Sequence, residues 1–192
     1  MDHTRTVLDI IASDPARLHL LQLVHSLDLP DCWVGAGFVR SAVWDHLHGR
    51  LPAPVTGDVD VIWYDPDRAA AEVDATLEAT LRDLHPDVIW SVKNQARMHT
   101  RNDDGPYYSS ADAMRYWPET ATAVAARWSE DGTLEICAPL GLSDLFALIL
   151  RPTFRFTAEK HPIYRERCRA KGWESQWPLL RQALCTPIER PE

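Results

Sequence analysis

The chain has 192 residues, a usual length for one compact domain. Hydrophobic residues make up 45% and include eight Trp, enough to bury a core, and 25% charged residues argue against wholesale disorder. A formal net charge of −8 with no Lys/Arg block disfavours a long nucleic acid as partner, because gripping phosphates takes a basic surface.

No stretch approaches the ~18 apolar residues of a membrane span, and no long apolar run follows the charged start Met1–Arg5, so a signal peptide is not expected. Cys32, Cys137, Cys168 and Cys185 form no CxxC pair, which fits a reduced, cytoplasmic setting. Cys32 and Cys137 sit in strand-like apolar runs and read as small buried hydrophobes.

Pro15–Leu27 carries apolar residues at helical spacing, and Asp14-Pro15 supplies a cap with proline at the first helical position. Leu29-Pro30 breaks that helix. Cys32-Trp33-Val34 reads as a short strand, 35–37 as a turn, and Phe38–His48 as a helix with Val39, Val43, Trp44 and Leu47 inward, ended by Gly49. A loop over 51–57 leads to a second strand, Asp58–Tyr64, rich in β-branched and aromatic residues. Asp65-Pro66 opens a helix to about Leu84. Val88–Val92 reads as a third strand and Asn94–Tyr116 as a long polar loop, of the kind that often carries function. Ala121–Trp128 and Thr133–Ala138 flank Ser-Glu-Asp-Gly as a β-hairpin. Leu142–Leu150 reads as an apolar helix stopped by Arg151-Pro152, and the remainder as one or two helices with Trp173 and Trp177 packing back. The order predicts an α+β fold, a small mixed sheet with helices packed on one side and C-terminal helices. One domain is expected over 1–192, with a core of about 15–152 and a helical extension over 153–192.

Asp58 and Asp60 lie two apart on a strand, so both point to one face. Two carboxylates there can share a hard divalent cation such as Mg²⁺, with Mn²⁺ as a substitute, beside substrate phosphates; they also match two ordinary surface acids on a strand edge. Asp65 and Asp67 are better explained by helix capping. Gly35-Ala36-Gly37 would let backbone N–H groups approach a phosphate at the start of the next helix. Arg40, on that helix's first turn, is placed to reach a triphosphate or to point into solvent. Asn94, Gln95, Arg97 and His99 follow a strand end, where they could read a base, bind phosphate or position an acceptor, or serve structure alone. His46 and His48 do not face each other on their helix; Glu119 in the Trp-Pro-Glu-Thr segment could be near the site, but the sequence does not place it.

The run Val34-Gly35-Ala36-Gly37-Phe38-Val39-Arg40, then Leu47-His48-Gly49, then Asp58-Val59-Asp60-Val61 resembles the head motif of the polymerase-β-like nucleotidyltransferase superfamily. It looks especially like the Gly-Gly-x-Val-Arg, Leu-Gly, Asp-x-Asp signature of tRNA CCA-adding and poly(A)-adding enzymes. Ala36 and Ser41 depart from that pattern, where it has Gly and Asp, and the gap from Gly37 to Asp58 is long. Residues 43–49, 94–99, 117–124 and 138–146 further resemble a bacterial family of standalone nucleotidyltransferase-like proteins of unknown function.

The resemblance implies nucleotide binding at Gly35 and Gly37, with Arg40 and Arg97 as further candidates, and metal binding and catalysis at Asp58 and Asp60. It also implies a third carboxylate on a later strand; Leu134-Glu135-Ile136 has that form, and equally the form of a solvent-facing strand residue. The implied reaction is transfer of NMP from a Mg–NTP to a hydroxyl of a small-molecule or protein acceptor, with release of pyrophosphate. The competing reading is a catalytically silent relative that binds nucleotide or a protein partner. Two other acidic motifs are disfavoured. Phosphatases of the haloacid-dehalogenase type place their first Asp at the end of an apolar strand, whereas here the pair opens its strand; the same point counts against a nucleotide-sugar glycosyltransferase. The sequence gives no oligomeric state.

Overall fold

Alternation along a strand sorts side chains onto two faces, and in this molecule it separates the core from the chemistry. The computed structural model of the protein describes residues 2–183. Five strands form a mixed sheet in the order β3-β2-β1-β4-β5: β1 (Trp33–Gly35), β2 (Asp58–Trp63), β3 (Ile89–Asn94), β4 (Ala125–Trp128) and β5 (Leu134–Cys137). β2 and β3 run parallel, and the other pairings are antiparallel. Val59, Val61 and Trp63 of β2 join Val34, Val92 and Ala126 in the main core. Asp58, Asp60 and Ile62 alternate onto the opposite face.

Helices α1 (His3–Ala12), α2 (Pro15–His25), α3 (Gly37–Leu47) and α4 (Ala71–Leu84) cover the core face. Each begins for a local reason or leans on a neighbour. Asp2 accepts the Arg5 amide to start α1, which sequence periodicity missed; its two fully buried side chains are Val7 and Ile11. Asp14 accepts the Ala16 and Arg17 amides at the head of α2 and pairs with the buried Arg17 side chain. Arg17 Nε then donates to the Phe38 carbonyl at 3.1 Å, which ties α2 to the first turn of α3.

Four elements differ from expectation. The segment from Asp65 to Leu84 is a 3₁₀ turn at Pro66–Arg68, capped by Asp65, followed separately by α4. The long polar loop contains α5 (Gln95–Asn102) and α6 (Ser110–Met114). Neither has an apolar stripe that periodicity could detect. The Asn94 side chain caps α5 by accepting the Ala96 amide at 2.9 Å, Asp103 closes it in the left-handed region at φ 55°, and Ser109 caps α6. The first part of 121–128 is a 3₁₀ turn at Thr120–Thr122, so the hairpin is shorter than expected. The apolar run 142–150 is a one-turn helix, α7 (Ser143–Phe146), then a left-handed Leu148 and β6 (Ile149–Leu150), which pairs in parallel with β7 (Arg181–Gln182).

Beyond these, α8 (His161–Lys171) and α9 (Trp173–Gln176) return the chain to the core, where Trp173 and Trp177 pack edge-on against Trp44. The face carrying Asp58 and Asp60 is covered in its middle by a second cluster, in which Trp33, Ile62 and Ala125 meet Met114 and Ala123, with Trp117 packed alongside. Cys32 and Cys137 are partly buried, and burial pushes both thiols up, Cys32 to about 12, as expected of inert hydrophobes. Cys185 lies outside the described residues.

Candidate active site

Asp58 is the first residue of β2, so the pair does open its strand. Asp58 is exposed and Asp60 half-buried, and neither carboxylate makes a hydrogen bond or ion pair with any described residue. Burial, followed by repulsion from Asp58, pushes the Asp60 carboxyl up to about 6; Arg167, Lys171 and Arg40 pull it part of the way back. Two acids on one strand, neither bonded to a described residue, form a hard oxygen donor set. They are chemically suited to hold a divalent cation.

The turn ahead of α3 lies beside them. In the sheet register Gly35 sits directly opposite Asp60. Ala36 precedes the helix at φ 54° and ψ −123°, a conformation that glycine adopts freely and alanine does not. The position where the resembled motif has its first glycine therefore keeps the glycine backbone and carries a methyl group at a cost in strain. No described side chain caps α3, so its first amides and the positive end of its dipole are left for another acceptor. Gly35 has a different reason to be glycine: a Cβ there would lie 2.8 Å from Trp117 Cη2, so the missing side chain admits the indole to the sheet. At Gly37 a Cβ would meet Arg40 Nη2 at 3.4 Å.

Arg40 is placed beneath this turn rather than in solvent. Its guanidinium is buried between the Trp44 and Trp173 rings, 4.9 and 4.5 Å from their centroids, and donates to Thr122 Oγ1 at 3.2 Å. Burial lowers its pKa to about 10, against the pull of Glu119 and Asp60, so it stays charged at neutral pH. Glu119 is fully buried close by and accepts from Arg167 Nε at 2.7 Å. A pocket of about 500 Å³ opens from Ala36 and Asp60 past Trp117 and Lys93 to Arg167 on α8. A second hollow of about 570 Å³, between α2 and the β4–β5 hairpin, holds neither member of the acidic pair.

Two sequence candidates are not brought to the pair. Glu135 lies on the far edge strand, three interstrand spacings from β2, or about 14 Å. It is paired there with Arg127, its cross-strand neighbour, at 2.6 Å. The strands flanking the pair present Ile89, Ser91 and Gly35, and no group of three or more His, Cys, Asp or Glu able to hold a metal occurs among the described residues. Arg97 turns to the buried Asp74, which also accepts from Trp63 Nε1 and the Asn94 amide. Of the neighbours weighed with it, Asn94 is a buried cap, Gln95 lines the pocket, and His99 stacks edge-on against Tyr107. Arg167 and Trp117 were missed. Arg167 belongs to a strongly basic helix without a clear apolar stripe, and only the fold turns it inward.

Comparison with known proteins agrees with this geometry. The sequence profile of a nucleotidyltransferase family matches residues 22–182. An NMR structure described as revealing a CCA-adding enzyme head domain is 33% identical, with 95% of this chain and 97% of that one covered and a TM-score of 0.84. A CCA-adding enzyme in complex with CTP matches at 14% identity and TM-score 0.58, covering 96% of this chain and 44% of that one. The Thermotoga maritima CCA-adding enzyme complexed with tRNA matches at 15% and 0.57, covering 94% and 42%. These two likenesses show the fold alone, and the chain spans under half the length of either enzyme. A search of curated proteins gave no match. A turn of this shape, a carboxylate pair opening the next strand and a profile spanning most of the sequence agree on one conclusion: the chain belongs to the nucleotidyltransferase family.

Proposed function

We propose that the protein transfers NMP from a nucleoside triphosphate to a hydroxyl of a small-molecule or protein acceptor. The observation that carries this reading is the unneutralised Asp58–Asp60 pair beside the uncapped start of α3, in a chain of this family. The amides of Gly37 and its successors hold phosphate oxygens, and Arg40 adds fixed positive charge from below. Asp58 and Asp60 would hold a divalent cation, Mg²⁺ or Mn²⁺, which would supply charge neutralisation for the transferring phosphoryl group. The acceptor oxygen forms a bond to the α-phosphorus as the bond to the β-phosphate oxygen breaks. Pyrophosphate leaves, and the acceptor proton passes to a carboxylate oxygen of the pair or to water. Positioning and electrostatics carry most of the rate enhancement.

The net charge of −8 favours a small or protein acceptor over tRNA, whatever the relatives bind. No helix of the described residues is long and apolar enough to cross a membrane, and we place the activity in the cytoplasm, with residues 1–192 acting as one unit. One observation favours the silent alternative: neither strand flanking the pair offers a third carboxylate. The test is incubation with Mg²⁺ and each labelled NTP, alone and with cell extract. Transfer lost in Asp58→Ala and Asp60→Ala supports the enzyme, whereas nucleotide binding without transfer to any acceptor supports the silent relative.

A further inference from the structure

Within the pocket and beneath it the described cations differ in how they are held. Lys160 is engaged with Asp104 and the Asn102 carbonyl, and Lys93 with Glu78 and the Val92 carbonyl. Arg101 is exposed, and no described residue holds it. Arg40 is sealed between two indoles. Among the described residues of the pocket, Arg167 alone combines an aimed guanidinium with free donors. Its Nε is fixed by Glu119 at 2.7 Å and its carbon lies 5.5 Å from the Trp173 ring centroid, while neither Nη group bonds to any described residue. Its side chain is 32% exposed, on the pocket wall that also includes Asp60.

We propose that Arg167 clamps the β- and γ-phosphates of the bound triphosphate, with Glu119 as its positioning residue. The inference rests on the reading of this pocket as a nucleotide site. A planar guanidinium with one edge held by a carboxylate presents its other edge to phosphate oxygens, the geometry arginine is suited to. Glu119 is 0% exposed, and its Oε2 has no hydrogen-bond partner among the described residues. Burying a carboxylate this way is costly and a weak route to stability; what it secures here is the direction of Arg167. With the reacting α-phosphate held at the Asp58–Asp60 pair, Arg167, which lines the same pocket, meets the phosphates beyond it, the part of the substrate that leaves. Trp173 joins the two guanidiniums, since Arg40 and Arg167 both lie against its ring.

Calorimetric titration of wild type, Arg167→Met, Arg167→Lys and Glu119→Gln with Mg²⁺ and each NTP, each NMP and inorganic tripolyphosphate tests this. Arg167→Met should weaken triphosphate and tripolyphosphate binding about 10–100-fold, the worth of one or two charge-assisted hydrogen bonds, and NMP binding less than about twofold. Arg167→Lys should recover part of the loss, and it carries the comparison if the Met variant does not fold. Glu119→Gln should weaken triphosphate binding about 3–10-fold with NMP binding unchanged. Wild-type triphosphate affinity in Arg167→Met, or an equal fall for NTP and NMP, overturns the clamp and leaves the nucleotide reading standing. Arg167-dependent binding of tripolyphosphate with no NTP bound would uphold the clamp and sink the nucleotide reading. A wild type that binds neither probe overturns both.

Discussion

Two acids on the same face of the sheet have opposite surroundings. Glu135, on the edge strand, has Arg127 as its cross-strand neighbour and is bonded to it at 2.6 Å. Asp60, on an interior strand, faces Gly35 and Ser91, has another acid two residues away, and is raised to about 6. The first arrangement is satisfied as it stands; the second is held by the fold at a cost and is relieved only by a cation or a proton. An acid in a strand is informative about function when its own neighbours fail to neutralise it.

The comparison is broken most severely by activity. Asp58→Ala or Asp60→Ala should lower nucleotidyl transfer at least about 100-fold, whereas Glu135→Gln should change it less than about twofold and cost under about 0.5 kcal/mol, as for a partly exposed ion pair. Initial rates and urea denaturation measure the two effects. A large activity loss in Glu135→Gln would restore it as a site residue.

Next in size is Gly35→Ala. The added methyl would meet Trp117 Cη2 at 2.8 Å, so overpacking should cost about 2 kcal/mol in denaturant unfolding. A neutral result would mean that Trp117 moves aside freely.

Asp60→Asn should stabilise the metal-free protein at pH 7.5 by about 1–2 kcal/mol, allowing for partial solvent screening. The sign follows from linkage. The folded pKa, about 6, lies above the unfolded one, so the folded state binds the proton more tightly. Stability from this group is full below about pH 4 and is lost as pH rises through about 6. The gain in the Asn variant should therefore shrink toward zero at pH 4, read from thermal unfolding with chelator at several pH values.

The smallest effect expected is at Ala36. With φ at 54° and ψ at −123°, Ala36→Gly should stabilise by about 1 kcal/mol, the relief of strain exceeding the added chain entropy. Circular dichroism melts check it; destabilisation would show that the methyl packs productively.

The parts of the site visible in the sequence are those set by local spacing. Alternation put Asp58 and Asp60 on one face, and Asp14-Pro15 marked the start of α2 by composition alone. Leu134-Glu135-Ile136 had the right local form and the wrong place, because strand order and the Arg127 partner are properties of pairing. Arg97 was similarly claimed by Asp74, 23 residues earlier. α5 escaped notice because caps and ion pairs hold it, not an apolar stripe, and 142–150 looked helical because β7, the partner of β6, lies far along the chain. Arg167 became legible only once α8 was seen to fold back over the pocket, and with it the place of Glu119, which the sequence had suggested near the site without positioning it.

That return of the chain has a consequence for how the protein is made. Trp177 donates to Asp45 at a separation of 132 residues, and Arg40 needs Trp173 for one side of its aromatic seat. Synthesis proceeds from the N terminus at about 5–20 residues per second. The glycine turn and the acidic pair therefore leave the ribosome several seconds before the segment that seats Arg40 and brings in Arg167. A nascent chain holds the carboxylates without their cationic surroundings until α8 and α9 have followed.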